Sequence, residues 1–182
     1  MSETNEKMQS LFDHLGELRE RLVKSAYAIA IMALGCWFFH VELFDVIRGP
    51  ITPYLDIGGL VFTHPTDKFM AHLKIAILGG AVLSCPVWIY QAWMFVAPGL
   101  YQKERKYSLI FIAAGTVLFL VGVFFAYFLV LPSAFKFLLT FGGTTDKPMI
   151  TISEYLSFFM TMILVFGIAF ELPLVIVVLG AM

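Results

Sequence analysis

The chain has 182 residues and a formal net charge of −1, with 60% hydrophobic residues against 14% charged ones and a mean hydropathy of +0.87. Soluble domains average about 45–50% apolar and about 25% charged residues, so water is excluded as the solvent for most of this surface. The near-neutral charge and the lack of a basic stripe with interleaved aromatics exclude nucleic acid as a partner.

The first segment, residues 1–22, reads as an amphipathic helix at the membrane edge: Leu11, Leu15, Leu18 and Leu22 recur at helical intervals, while Glu17, Glu20, Arg21 and Lys24 fall largely elsewhere. Its acidic character, with Glu3, Glu6, Asp13, Glu17 and Glu20, and the lack of a small-residue cleavage site argue against a removable signal. Four apolar blocks follow, at 23–41, 75–97, 109–131 and 155–182, each approaching or reaching the roughly 20 residues that a spanning helix needs. They are apolar all round rather than alternating, which rules out barrel strands and leaves an all-α, polytopic helical membrane protein.

The stretch 42–74 carries Pro50, Pro53, Gly58, Gly59 and Pro65 with apolar residues between, and is expected to fold as a small cap. In the second block Pro86 predicts a kink unless Ser84 or a neighbouring helix compensates, and Trp88, Tyr90 and Trp93 suit an interfacial aromatic belt. Residues 98–108 make a loop too short to be a domain, so blocks two and three form a hairpin. The connection 132–154 ends in Thr151 and Glu154, which read as a capping box for the fourth helix. Lys7, Arg19, Arg21 and Lys24 in the tail, with Lys103, Arg105 and Lys106 in the short loop, outweigh in density Arg48, Lys68, Lys74, Lys136 and Lys147. The positive-inside rule therefore puts the N-terminus in the cytoplasm and 42–74 and 132–154 on the opposite side. The fourth block stops at Met182 with no flanking charge, which reads as a truncated protein.

Few residues can carry chemistry. Cys36 and Cys85 lie inside apolar blocks and read as small buried residues. His14, His40, His64 and His72 show no ligand spacing, and there is no His-Glu-x-x-His, serine elbow or Gly-rich phosphate loop. No metal, cofactor or enzymatic activity is expected. Glu171 stands deep in the fourth block, where a charge costs about 2.5–3.5 kcal/mol and must face protein or water. It is either a protonated glutamate bonded to a neighbouring helix or part of a binding or transport site, with Pro173 distorting the helix beside it. Glu104, in the run Tyr101 to Lys106, could belong to a solvated charge cluster, and Glu17 with Arg21 could be a plain surface ion pair.

The segment His14-Leu15-Gly16-Glu17-Leu18-Arg19-Glu20-Arg21-Leu22 resembles the N-terminal signature of TatC, the multi-span core of the twin-arginine protein translocase. Phe95-Val96-Ala97-Pro98-Gly99-Leu100-Tyr101 with Glu104-Arg105 resembles the family's first cytoplasmic loop, and Phe170-Glu171-Leu172-Pro173 its fourth-span motif. Gly49-Pro50 and Phe125-Ala126-Tyr127-Phe128 fit as well. This resemblance implies a receptor for the consecutive arginines of signal peptides and a core scaffold for exporting folded proteins across the bacterial inner membrane. Transport is then driven by the proton gradient without a cofactor.

It further implies that Glu17 and Glu104 bind the arginines, that Arg19 organises the site or orients Glu17, and that Phe95, Pro98 and Leu100 shape its floor. Glu171, Pro173 and Tyr127 belong to the intramembrane face and Pro50 to the periplasmic cap. There the signal's apolar part and the single-span partners TatA and TatB are expected, with TatB in a homo-oligomeric complex. Six spans are implied, of which four are present. A proton-coupled small-solute transporter using Glu171 is the alternative.

Overall fold

The computed structural model describes residues 2–55, 59–96, 108–141 and 149–181. The first helix, α1, is Ser2–Trp37. It contains no proline, and the tail and the first apolar block form one helix without a break at residue 22. It stops at Trp37 rather than Val41, where Phe38 and Phe39 turn the chain by donating to the carbonyls of Gly35 and Cys36. Helix α2, His40–Arg48, leaves at 91° to α1. At this elbow His40 and His72, far apart in sequence, bring their Nδ1 atoms to 3.2 Å.

Helix α3, Asp67–Leu83, and helix α4, Cys85–Val96, are the two arms of the second block, bent by 58° about the fully buried Ser84. Pro86 has no N–H to donate, so the ladder must break here. The break is satisfied from two sides: Val87 N–H and Trp88 N–H both donate to Ser84 O, and the Trp88 indole Nε1 donates to Ala81 O at 3.0 Å. The Trp88 indole is thus bonded within the break. Trp93 is also buried, stacked on Phe111, which leaves Tyr90 as the exposed member of the three. Against α1, α3 packs so closely that a Cβ on Gly80 would lie 2.6 Å from the backbone nitrogen of Ala33. Only glycine fits there.

Helix α5, Ser108–Phe125, passes through a π-helical turn, Ala126–Val130, into α6, Leu131–Thr140. The helix therefore continues past Leu131, the expected end of the third block. Pro132 would clash in a regular ladder, and the wider turn just before it absorbs the missing bond and lets the helix run on. Helix α7, Ile152–Ala169, starts where the Thr151 hydroxyl accepts from the Glu154 N–H at 3.3 Å and donates to the Glu154 carboxylate at 3.0 Å. The stretch Phe170-Glu171 then leads into α8, Leu172–Ala181.

Among the described residues Leu109–Thr140 and Ile152–Val177 are each long and apolar enough to cross a membrane. The two bent pairs raise the number to four if each is one span. Apolar side chains such as Leu34, Ile110, Ile168 and Ile176 point outward, the reverse of a soluble fold. The buried core, with Ile47, Ile51, Ile75, Leu131, Tyr155 and Leu156, gathers at the elbow end of the bundle.

Candidate functional site

At the other end of α1, Glu17 lies 20 residues before Trp37, about 30 Å along the helix. One turn further, Arg21 reaches back to it: Nε donates to Glu17 Oε1 at 2.9 Å, and Nη2 donates to the same oxygen. The other carboxylate oxygen faces His14 Nδ1 at 3.9 Å. The His14 ring stacks on Phe95 of α4, with centroids 4.3 Å apart and planes 17° apart. Phe95 is therefore brought to Glu17 through His14, a contact that no spacing along the chain foretells because the two rings belong to different helices. Arg19 is exposed, and the guanidinium bonded to Glu17 is that of Arg21.

Beside this group runs an apolar groove of about 430 Å³ between α1 and α4, lined by Leu18, Arg21, Leu22, Ile29, Trp88 and Phe95 among others. It has a charged rim and a greasy interior: the Arg21–Glu17 pair marks one edge, while Leu22, Ile29 and Trp88 offer apolar surface alongside. Such a site can hold an extended peptide that carries cationic residues next to an apolar run. Pro98, Leu100 and Glu104, expected to complete the site, lie outside the described residues.

Glu171 stands at the short break between α7 and α8, with its N–H donated to Ile168 O and its own carbonyl accepting from Val175 N–H. Pro173 is exposed and has no N–H to donate, so the helical ladder is interrupted at this turn. The side chain crosses to α5, where Gly115 leaves room for it: a Cβ there would lie 3.2 Å from Glu171 Oε2. Glu171 Oε1 is buried and has no hydrogen-bond partner among the described residues.

Tyr127 reaches the end of α2, just before Pro50. The last carbonyls of a helix have no partner within it, and here the Tyr127 hydroxyl donates to Val46 O at 2.7 Å while the Tyr155 hydroxyl donates to Ile47 O. Pro50 is buried just behind. Gly49 is required by this closure, since a Cβ on it would lie 2.7 Å from the Tyr127 oxygen. Val61 and Thr151 form a parallel bridge that ties the cap to the start of α7. Asp67 fastens the entry to α3 by accepting from the backbone N–H groups of His64 at 2.9 Å and Thr63 at 3.0 Å. These bonds, His64 first, hold its carboxyl below the usual carboxylate range.

Residues 13–182 match the model of the family described as Sec-independent protein translocase protein (TatC). The chain belongs to the TatC family. It is 39% identical to the TatC of Desulforapulum autotrophicum over 100% of this chain and 67% of that protein. With the TatC of Koribacter versatilis it shares 39% identity over 97% of this chain and 66% of that protein. The crystal structure of the twin-arginine translocase receptor TatC superposes with a TM-score of 0.82 at 36% identity, covering 93% of this chain and 76% of that one.

TatC proteins are multi-pass membrane components of protein translocation and form a receptor family rather than a family of enzymes. The small-solute transporter reading of Glu171 is not favoured by this membership. The chain spans about two thirds of the length of these relatives.

Proposed function

We propose that the chain is the twin-arginine signal-peptide receptor and core scaffold of a Tat translocase that exports folded proteins across the bacterial inner membrane by the proton motive force. The observation that carries this reading is the Glu17 carboxylate, which already holds a guanidinium at the rim of an apolar groove. A carboxylate accepts the planar fork of arginine through charge-assisted bonds, roughly twice as strong as neutral ones, and lysine cannot reproduce that fork. The groove beside it suits the apolar stretch that follows the charged start of an export signal.

In this reading Glu17 and Glu104 receive the two arginines, Arg19 organises the site, and Phe95, Pro98 and Leu100 form the floor. The N-terminus, residues 98–108 and this site face the cytoplasm, where a signal arrives. Residues 42–74 and 132–154, with Pro50, lie on the periplasmic side. Glu171, Pro173 and Tyr127 belong to the intramembrane face that engages the single-span TatA- and TatB-type subunits and the apolar part of the signal. The complex with TatB contains several copies of this chain.

The test is export of a folded reporter carrying a twin-arginine signal, in cells whose own TatC is replaced by this protein. Glu17→Lys and Glu104→Lys are expected to abolish export and to weaken cross-linking to the signal. Wild-type export in both variants would sink the site assignment.

A further inference from the structure

Two ion pairs of the same spacing lie side by side on α1, and they differ. Glu20 and Lys24 meet at 2.6 Å with side chains 67% and 54% exposed, an ordinary solvated pair. The Arg21 side chain is only 18% exposed, laid along the groove with two of its nitrogens on one oxygen of Glu17. Its third nitrogen, Nη1, stands 3.5 Å from Gln91 Oε1 on α4, at the outer limit of a hydrogen bond. Arg21 therefore has two acceptors within reach, one charged and one neutral, on two different helices.

We infer that Arg21 is a resident stand-in for a signal arginine: it occupies Glu17 in the empty receptor and moves to Gln91 when a peptide binds. The inference rests on the reading of Glu17 as an arginine site. Glu17 carries one negative charge, and two guanidinium ions crowded on it repel each other, so an incoming arginine must take the place of Arg21 rather than join it. The exchange swaps one guanidinium for another on the same oxygen, so the binding that Glu17 yields is reduced by the Arg21 pair that is lost, about two- to fivefold. A peptide with a single arginine bears this cost on its one contact, whereas a second arginine adds a contact that displaces nothing. The stand-in thus sets a threshold that favours a pair. It also keeps the carboxylate neutralised at the membrane edge while the receptor is empty. Gln91 holds the released guanidinium without competing for it, because a neutral acceptor binds a cation less strongly than a carboxylate does.

The experiment is titration of the purified chain in detergent with a fluorescent synthetic signal peptide bearing consecutive arginines, with thermal unfolding measured on each variant. Arg21→Gln is expected to bind the peptide about two- to fivefold more tightly, since the competing pair is gone. Arg21→Lys, which keeps the charge but not the fork, should fall between Arg21→Gln and wild type, and it reads the same competition if Arg21→Gln fails to fold. In the wild-type chain the ¹⁵Nε resonance of a selectively labelled Arg21 should shift on addition of the peptide towards its position in Glu17→Gln, where the pair is absent.

Unchanged or weaker binding by Arg21→Gln with an unaltered melting curve, together with a stationary Arg21 resonance, would overturn the inference. Glu17→Gln separates the two levels of the reading. If it loses the peptide while Arg21→Gln does not gain, only the stand-in role falls. If Glu17→Gln binds as wild type does, the site assignment falls and the stand-in role falls with it.

Discussion

The two ends of α1 are built in opposite ways. At the Glu17 end, side chains are held by one another at the surface: an ion pair, a stacked imidazole and an open groove. At the elbow end, backbone carbonyls of α2 are bonded by tyrosine hydroxyls from α7 and from the π-helical turn after α5, over a core of fully buried side chains. Exposed ion pairs are worth about 0.2–1 kcal/mol, whereas leaving a buried polar group unpaired costs about 1–3 kcal/mol. The difference separates roles: the end proposed to meet the signal can exchange partners cheaply, and the cap holds the frame against which that exchange occurs.

The largest expected effect on stability is therefore at the cap. Tyr155→Phe removes the hydroxyl bonded to the Ile47 carbonyl and is expected to cost about 1–3 kcal/mol in reversible denaturant unfolding while leaving twin-arginine peptide affinity unchanged. Gly49→Ala pushes a methyl group against the Tyr127 oxygen and is expected to cost about 1–3 kcal/mol in the same assay. Next comes Glu17→Gln, expected to lower stability by less than about 1 kcal/mol yet to abolish peptide binding. A larger loss of stability from Glu17→Gln than from Tyr155→Phe would break the comparison.

Glu171→Gln should leave stability close to wild type, because it keeps the shape of a side chain fitted over Gly115. Its effect is expected in cross-linking to the single-span subunits.

The smallest effect is confined to acid. Because the Asp67 carboxyl titrates below its unfolded value, its stabilising contribution is complete above the ordinary carboxylate range and fades as pH falls through the folded value. Unfolding followed from neutral pH to below about pH 4 should show this loss in the wild-type chain and a flatter profile in Asp67→Asn.

The sequence made local and compositional features legible. The apolar blocks, the Thr151–Glu154 cap, the disturbance at Pro86 and the i,i+4 pairing of Glu17 with Arg21 all follow from neighbours along the chain. What it hid depends on tertiary partners. The Trp88 indole serves the carbonyl freed near Pro86, a choice that periodicity cannot distinguish from a lipid-facing tryptophan. The third apolar block ends by composition at Leu131, yet the π turn Ala126–Val130 carries the helix past Pro132 to Thr140. His14 reaches Phe95, and Tyr155 reaches Ile47, across separations for which no spacing rule exists. Of the residues expected at the signal site, Glu17, Arg19 and Phe95 are described, and Phe95 gains its link to Glu17 only through the fold.

The unbroken helix α1 adds a mechanical property. Residues 17 to 37 form a rod about 30 Å long, close to the thickness of a bilayer's hydrocarbon core. Tilting such a rod by about five degrees moves its far end by about 3 Å. A tilt imposed at Glu17 thus displaces the His40–His72 elbow at the other end of the rod, without any intermediate joint.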